Sequence, residues 1–238
     1  MDRCGSCRWC LRGLDNHCAY VHVAPSDGLP AGPRGLSSHL MTSAEKLLRL
    51  NHAVGLRQGA LLEPLACTLR SIRRSGVQAG NLAVVIGTGT LGLLHAAVLR
   101  EMKVEVVVCD VDGSSKGRLN EVRNSEGADA VFCIRGGGAS IQGAVEACAR
   151  GGTVVLFQSV LEGGDVSLNA NDIHYREISI VGSISQRMED FWQAKSLIEQ
   201  TPGLLDVLNV VCVPHRSPKE AFEKSLDPSV NRVLVTFD

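Results

Sequence analysis

Residues 82–92 read LAVVIGTGTLG and contain the clearest indication of the fold in this sequence. The apolar run Leu82–Ile86 predicts a strand. A G-x-G-x-x-G turn follows it at once and opens a helix-length segment, 91–101; its residues are Gly87, Thr88, Gly89, Thr90, Leu91 and Gly92. In such a turn the first glycine permits a tight bend, the second lets a phosphate approach the backbone, and the third lets helix and strand pack closely. The stretch therefore predicts a strand–turn–helix unit that binds an anion at the helix N-terminus.

Downstream of this turn, short apolar runs alternate with helix-length segments, which is typical of parallel β-α-β construction. We expect strands at 82–86, 104–109, 130–134, 154–157 and 178–181, and helices at 91–101, 139–149 and 189–199. We also expect a helix at 60–73, and a helix at 218–225 with a strand at 233–237 near the end of the chain. The predicted fold class is α/β, with a Rossmann-type doubly wound parallel sheet.

Asp110 ends the second expected strand, 23 residues after Gly87. A carboxylate at about this spacing binds ribose hydroxyls in dinucleotide-binding folds. Its neighbours Cys109 and Val111 are uncharged, so no adjacent arginine would accept a 2′-phosphate. The pattern therefore predicts NAD rather than NADP. The alternative is a tight turn without a ligand, in which Asp110 merely ends a strand.

Four of the nine cysteines lie close together near the start of the chain, in a C-x2-C-x2-C-x7-C pattern: Cys4, Cys7, Cys10 and Cys18. Four thiolates complete the tetrahedral coordination of one zinc ion and leave no position for a substrate. We therefore expect a structural zinc site. An iron–sulfur cluster and a set of reduced or disulfide-paired cysteines are the alternatives. The other five cysteines are scattered through apolar segments and are expected to be small core residues.

Charge and hydropathy argue against nucleic-acid and membrane partners. The chain has 24 basic and 25 acidic side chains and a formal net charge of −1, so no basic excess favours nucleic acid. No apolar run reaches the roughly 18 residues of a membrane helix, and no signal peptide is visible at the N-terminus. We expect a cytoplasmic protein.

With the two motifs in this order, the chain resembles the zinc-containing medium-chain alcohol and polyol dehydrogenases, especially those acting on sorbitol and threonine. The four cysteines are similar to that family's structural-zinc lobe. Residues 62–67, LEPLAC, are similar to the segment before its nucleotide domain, where the glutamate, here Glu63, is a catalytic-zinc ligand in the polyol branch. Residues 171–177, NDIHYRE, resemble a stretch before the sixth strand of that domain.

The resemblance implies a zinc-dependent enzyme that transfers hydride between a secondary alcohol, of a polyol or a hydroxy amino acid, and NAD. It implies a structural-zinc lobe with a remnant of a GroES-like catalytic domain at residues 1–80, an NAD-binding domain at 81–212, and a return to the catalytic domain at 213–238. It also implies a homo-oligomer that pairs through the edge strand at 178–181. No catalytic residue can be assigned.

Two departures from the family pattern matter. The lobe that supplies a Cys and a His to the catalytic zinc is expected to be lacking, which leaves Glu63 as the one ligand that can be placed. A catalytically incomplete zinc-stabilised NAD-binding module is therefore the alternative function. In addition, residues 110–136 have room for one helix–strand unit where the family has two. The segment around 126–132 could be the third strand or the fourth.

Overall fold

The computed structural model describes residues 3–20, 36–40, 44, 47–110, 116–160 and 165–237. The chain divides into two compact units: Pro64–Ile184 forms one, and Met1–Glu63 with Ser185–Asp238 forms the other. The domain boundaries expected at residues 80 and 212 stay a prediction.

The described helices and strands alternate over most of the chain. In chain order they are α1 Leu56–Gly59, α2 Leu62–Ser75, β1 Leu82–Ile86, α3 Thr90–Glu101, β2 Glu105–Cys109, α4 Lys116–Arg123, β3 Ala128–Cys133, α5 Gly137–Ala147, β4 Cys148–Leu156, α6 Ala170–Arg176, β5 Ser179–Gly182, α7 Met188–Gln200, β6 Val210–Pro214, α8 Pro218–Ser225 and β7 Arg232–Thr236.

The Pro64–Ile184 unit is built on a five-stranded sheet with the order β2-β1-β3-β4-β5. Every pair is parallel, and β1 lies between β2 and β3, with Val84 opposite Val107 on one side and Val131 on the other. This order confirms the predicted α/β class and the Rossmann-type parallel sheet. Its central strands are fully buried, since Val84, Val85, Val131 and Phe132 have no exposed surface, as expected when helices cover both faces.

The pairing of β3 with β1 resolves the alternatives left open by the sequence. In the usual strand order 3-2-1-4-5-6, the neighbour of the first strand on this side is the fourth strand. Residues Ala128–Cys133 therefore take the place of the fourth strand, and α4 is the one helix described between β2 and β3. Within the described residues the sheet lacks a third strand, so β2 is its edge.

The second unit contains the cysteine loop, α1, α7 and a small C-terminal sheet. Two short 3₁₀ turns, Cys10–Arg12 and Asp15–His17, shape the cysteine loop. The small sheet consists of β6 and β7, which are parallel and joined by α8. None of the described helices has the length and apolar character needed to cross a bilayer.

Several predicted bounds differ from those of the structure, and local geometry gives the reason. The helix expected at 139–149 ends at Ala147, because Cys148 turns to extended backbone and begins β4. That strand starts six residues earlier than its apolar run, and its pairing with β3 shifts register between Ala128 and Ala130. Helices α1 and α6 and strand β6 were not predicted. Helix α4 was expected only as part of the one helix–strand unit within 110–136, because its polar sequence, KGRLNEVR, has no apolar stripe that would define its bounds.

Candidate functional site

The sulfur atoms of Cys4, Cys7, Cys10 and Cys18 converge. All four lie within 4.8 Å of one another, and those of Cys4 and Cys10 are 4.0 Å apart. Zinc bonded tetrahedrally at about 2.3 Å holds its sulfur ligands roughly 3.8 Å apart, so a small inward movement would complete the site. In the part of the chain that the structure describes, this is the one group of three or more His, Cys, Asp or Glu side chains that could hold a metal ion.

Backbone amides of the loop point at these sulfurs. The Cys7 N–H donates to Cys4 Sγ over 3.2 Å, and the N–H groups of Cys4 and Tyr20 donate to Cys18 Sγ over 3.3 and 3.4 Å. Such bonds favour the thiolate over the thiol. Hydrogen bonds from the backbone and hydroxyl of Ser6, followed by the one from the Cys7 N–H, lower the pKa of Cys4 to about 6.

The four sulfurs do not share this effect equally. A hydrogen bond from the Cys10 backbone lowers the pKa of Cys7, whereas desolvation and the neighbouring sulfurs raise the pKa of Cys10 to about 12. A cation among them is what would allow all four to ionise together, because a coordinating thiol is deprotonated by its metal. The donor set, its spacing and its amide hydrogen bonds therefore fit zinc.

The glycine turn has the close packing that its sequence predicts. Gly87 has φ +128°, a conformation that side chains disfavour, and its N–H donates to the Cys109 carbonyl over 2.8 Å. A Cβ atom on Gly92 would lie 1.8 Å from the Gly87 carbonyl oxygen, which no adjustment short of displacing the turn would relieve. These two glycines bring the start of α3 against the end of β1.

Gly89 differs from both, because a Cβ atom there would meet nothing within 4 Å and its φ of −74° suits any residue. The space above its backbone is therefore open for a ligand. Gly89 is also the N-cap of α3 and offers no side-chain cap to the first amides of that helix. A helix N-terminus attracts anions, so Gly89, Thr90, Leu91 and Gly92 form a cradle that fits a pyrophosphate.

Asp110 lies beside this turn, at the end of β2. The Thr88 hydroxyl donates to Asp110 Oδ2 over 2.7 Å, and the Thr88 N–H donates to the same oxygen over 3.2 Å. Thr88 thus fixes the carboxylate next to the glycine cradle. The arrangement brings together all seven residues that the sequence assigned to the dinucleotide.

Arg118 is a neighbour of this region that sequence reasoning missed. Its Nη1 donates to the Val108 carbonyl over 3.4 Å, which places a cation near the end of β2. The residues next to Asp110 in sequence are uncharged, and one of them, Val111, lies outside the described residues. The arginine comes instead from α4, whose position became clear only from the fold.

Glu63 does not join a metal site within the described residues. It is exposed in the first turn of α2 and belongs to no group of three converging ligand side chains. Catalytic zinc normally takes three protein ligands. The described residues therefore do not fit a second zinc ion.

The comparisons with known proteins agree with this geometry. Residues 85–200 match the family model described as zinc-binding dehydrogenase. The 2-dehydro-3-deoxy-L-galactonate 5-dehydrogenase of Pseudoalteromonas atlantica is 28% identical over 83% of the chain and 62% of its own length. The sorbitol dehydrogenase of Halalkalibacterium halodurans is 27% identical over the same shares. The chain thus spans about 62% of the length of these two relatives.

Solved structures share the fold. A protein assigned as a zinc-binding dehydrogenase of Sinorhizobium meliloti 1021, solved with NADP, is 22% identical and has a TM-score of 0.81 over 99% of this chain and 74% of its own. The acetophenone reductase of Geotrichum candidum, solved with NAD, is 20% identical and has a TM-score of 0.76 over 99% of this chain and 71% of its own. Sequence motif, sheet order and the match of residues 85–200 to the zinc-binding dehydrogenase family model therefore agree.

Proposed function

We propose that this chain is an oxidoreductase that transfers hydride between a secondary alcohol and NAD, and that it carries a structural zinc ion. The observation that carries the proposal is the open cradle at Gly89, which lies at the uncapped start of α3 and beside Asp110. The alcohol class follows the names of the relatives, which act on sugar acids and polyols. We propose a polyol or a hydroxy acid, including a hydroxy amino acid, as substrate.

The chain's own residues would bind and orient the cofactor. The amides of Thr90 and Leu91 would donate to the pyrophosphate, where the helix dipole favours negative charge. Asp110, held by Thr88, would accept hydrogen bonds from ribose hydroxyls. Bound NAD would supply the hydride acceptor. The four cysteines would fill the coordination sphere of their zinc, so that this ion would stabilise the loop and take no part in the reaction.

A second candidate is a zinc-stabilised NAD-binding module that does not turn over alcohols. It is supported by the single converging set of metal ligands in the described part of the chain and by the position of Glu63 outside that set. Both candidates predict NAD binding. They differ in the number of zinc ions and in the oxidation of substrate.

One experiment separates them. The purified 238-residue chain is analysed for zinc per polypeptide and assayed for reduction of NAD by sorbitol and by threonine. Two zinc ions and a zinc-dependent increase in absorbance at the wavelength of NADH support the enzyme. One zinc ion and NAD binding without turnover support the module, and failure to bind NAD in calorimetry contradicts both.

We also propose a homo-oligomer in the cytoplasm. Strand β5 is an edge of the described sheet, and an unpaired edge readily adds a strand from another chain. Light scattering at micromolar concentration should give a multiple of the 25.4 kDa chain mass, and the monomer mass would contradict the proposal.

A further inference from the structure

Arg135 lies beside the glycine turn although nothing in the sequence pattern marks it. We infer that Arg135 is a binding residue for the pyrophosphate of the dinucleotide, an inference that rests on the proposed NAD site. Three features carry it: the position of its backbone, the anchoring of its loop, and the charge it brings to a helix start that has none.

The position follows from the strand order. Because β3 pairs directly with β1, the residues after each strand meet at the same edge of the sheet. The N–H groups of Ile134 and Arg135 both donate to the carbonyl of Ile86, over 3.0 and 3.2 Å. A Cβ atom built on Gly87 would lie 3.3 Å from the Arg135 Cβ. The side chain of Arg135 therefore starts in contact distance of the turn.

The loop after Arg135 is anchored by Gln158, which follows β4. The Gly137 N–H donates to Gln158 Oε1 over 3.3 Å, and Gln158 Nε2 donates to the Gly137 carbonyl over 3.4 Å. The same Nε2 donates to Ser140 Oγ over 3.1 Å. These bonds tie the loop to the neighbouring strand end, so the backbone of Arg135 is held in place before a ligand arrives.

The charge is available for an anion. Arg135 is exposed and forms no ion pair with any described residue. The first turn of α3 contains no charged side chain, and its one basic residue, Arg100, is in the last turn. A pyrophosphate in the cradle would therefore meet backbone amides on one side and the guanidinium of Arg135 on the other. A guanidinium can donate two parallel hydrogen bonds to phosphate oxygens, which makes arginine well suited to this group.

Calorimetry with the zinc-loaded 238-residue chain tests the inference. The variants are Arg135→Gln, Arg135→Lys and, as matched control, Arg100→Gln, which removes the same charge from the far end of α3. The probes are NAD, ADP-ribose and adenosine at two salt concentrations. We expect Arg135→Gln to weaken the binding of NAD and of ADP-ribose about tenfold, and to reduce the salt dependence of that binding. Adenosine, which has no phosphate, should bind all variants equally, and Arg135→Lys should recover part of the loss.

The outcomes distinguish this inference from the function on which it rests. If the unmutated chain binds NAD and Arg135→Gln binds it as well as Arg100→Gln does, Arg135 has no role and the NAD site stands. If Arg135→Gln weakens adenosine as much as ADP-ribose, the arginine acts on the shape of the site and the inference is again overturned. If the unmutated chain binds neither NAD nor ADP-ribose, the proposed function itself fails.

Discussion

Asp15 in the cysteine loop accepts a hydrogen bond from the backbone N–H of Met188, the first residue of α7, with 3.1 Å between Oδ2 and N. The same carboxylate oxygen accepts from Arg3 Nη1 over 2.9 Å. Asp15 is buried, and a negative charge at a helix start is favourable because it satisfies an amide and complements the helix dipole. The loop that holds the four cysteines is thus tied directly to a helix 173 residues away in sequence.

We expect Asp15→Ala to lower the free energy of unfolding of the zinc-loaded chain by about 1–3 kcal/mol. The change leaves the Met188 amide and Arg3 without their common acceptor, which has the cost of a lost hydrogen bond to a charged group. Urea unfolding followed by circular dichroism measures it. Glu223→Ala is the control, since its pair with Lys219 is on the surface and should contribute below about 0.5 kcal/mol. Equal effects of the two substitutions would contradict the role of Asp15.

Replacement of a single cysteine should empty the zinc site. We expect Cys10→Ser to lower the zinc content from about one ion per chain to near zero, because structural zinc needs its four ligands. Mass spectrometry of the metal content gives the measurement. Cys212→Ser is the matched control, since Cys212 is exposed and is not among the converging sulfurs. A folded Cys10→Ser chain that retains its zinc would show that the four cysteines are not the ligands.

The glycine turn allows ligand binding to be separated from folding. Gly89→Ala should change the free energy of unfolding by no more than about 0.5 kcal/mol, because its Cβ meets nothing within 4 Å. It should nevertheless weaken the binding of NAD at least tenfold, because the added methyl group occupies the cradle. Gly92→Ala should reduce stability and binding together, because its Cβ would lie 1.8 Å from the Gly87 oxygen. Thermal unfolding and calorimetry on both variants check this. Tight NAD binding by a folded Gly89→Ala chain would exclude this cradle as the site.

The contrast between Gly89 and Arg135 shows what sequence can and cannot predict here. Gly89 belongs to a contiguous motif whose local order, strand then turn then helix, sets its geometry, and the cysteine spacing is local in the same way. Arg135 and Arg118 take their positions from strand order and from a polar helix, which depend on pairing between distant residues. The order of β1 and β3 could not be derived from the segment 110–136, because its length and apolar pattern suited two different strands.

His95 provides a pH-dependent test of the core. It is fully buried on α3 between Phe132 and Phe157, with ring centroids 5.4 and 5.1 Å away, and its Nε2 has no hydrogen-bond partner. Desolvation lowers the pKa of His95 to about 4, against about 6.5 in an unfolded chain. As the pH falls below about 6.5 the unfolded chain gains a proton that the folded chain does not. Stability should therefore fall, by up to about 3 kcal/mol at pH 4 from this group alone.

Urea unfolding at pH 7 and pH 5 measures this dependence. His95→Leu removes the titrating group from the core and should flatten the change between the two pH values. His174→Leu removes an exposed histidine. It should leave the loss of stability between pH 7 and pH 5 the same as in the unmutated chain. The same pH dependence in all three chains would mean that other groups govern the acid sensitivity.

The preference for NAD over NADP should depend on Asp110 and on the threonine that holds it. A carboxylate next to the 2′ position accepts a hydrogen bond from a ribose hydroxyl and repels a 2′-phosphate. We expect Asp110→Ala to weaken the binding of NAD about tenfold or more, the order of a lost hydrogen bond to a charged group. It should also narrow the preference for NAD over NADP, because the repelling carboxylate is gone while Arg118 stays near the end of β2. Thr88→Val removes the 2.7 Å hydrogen bond from the Thr88 hydroxyl to Asp110 but keeps the carboxylate. It should therefore weaken the binding of NAD less than Asp110→Ala does, and it should keep the preference for NAD over NADP. Calorimetry with NAD and NADP on the three chains provides the comparison. Equal affinity of the unmutated chain for the two cofactors would refute the role of Asp110 in choosing between them.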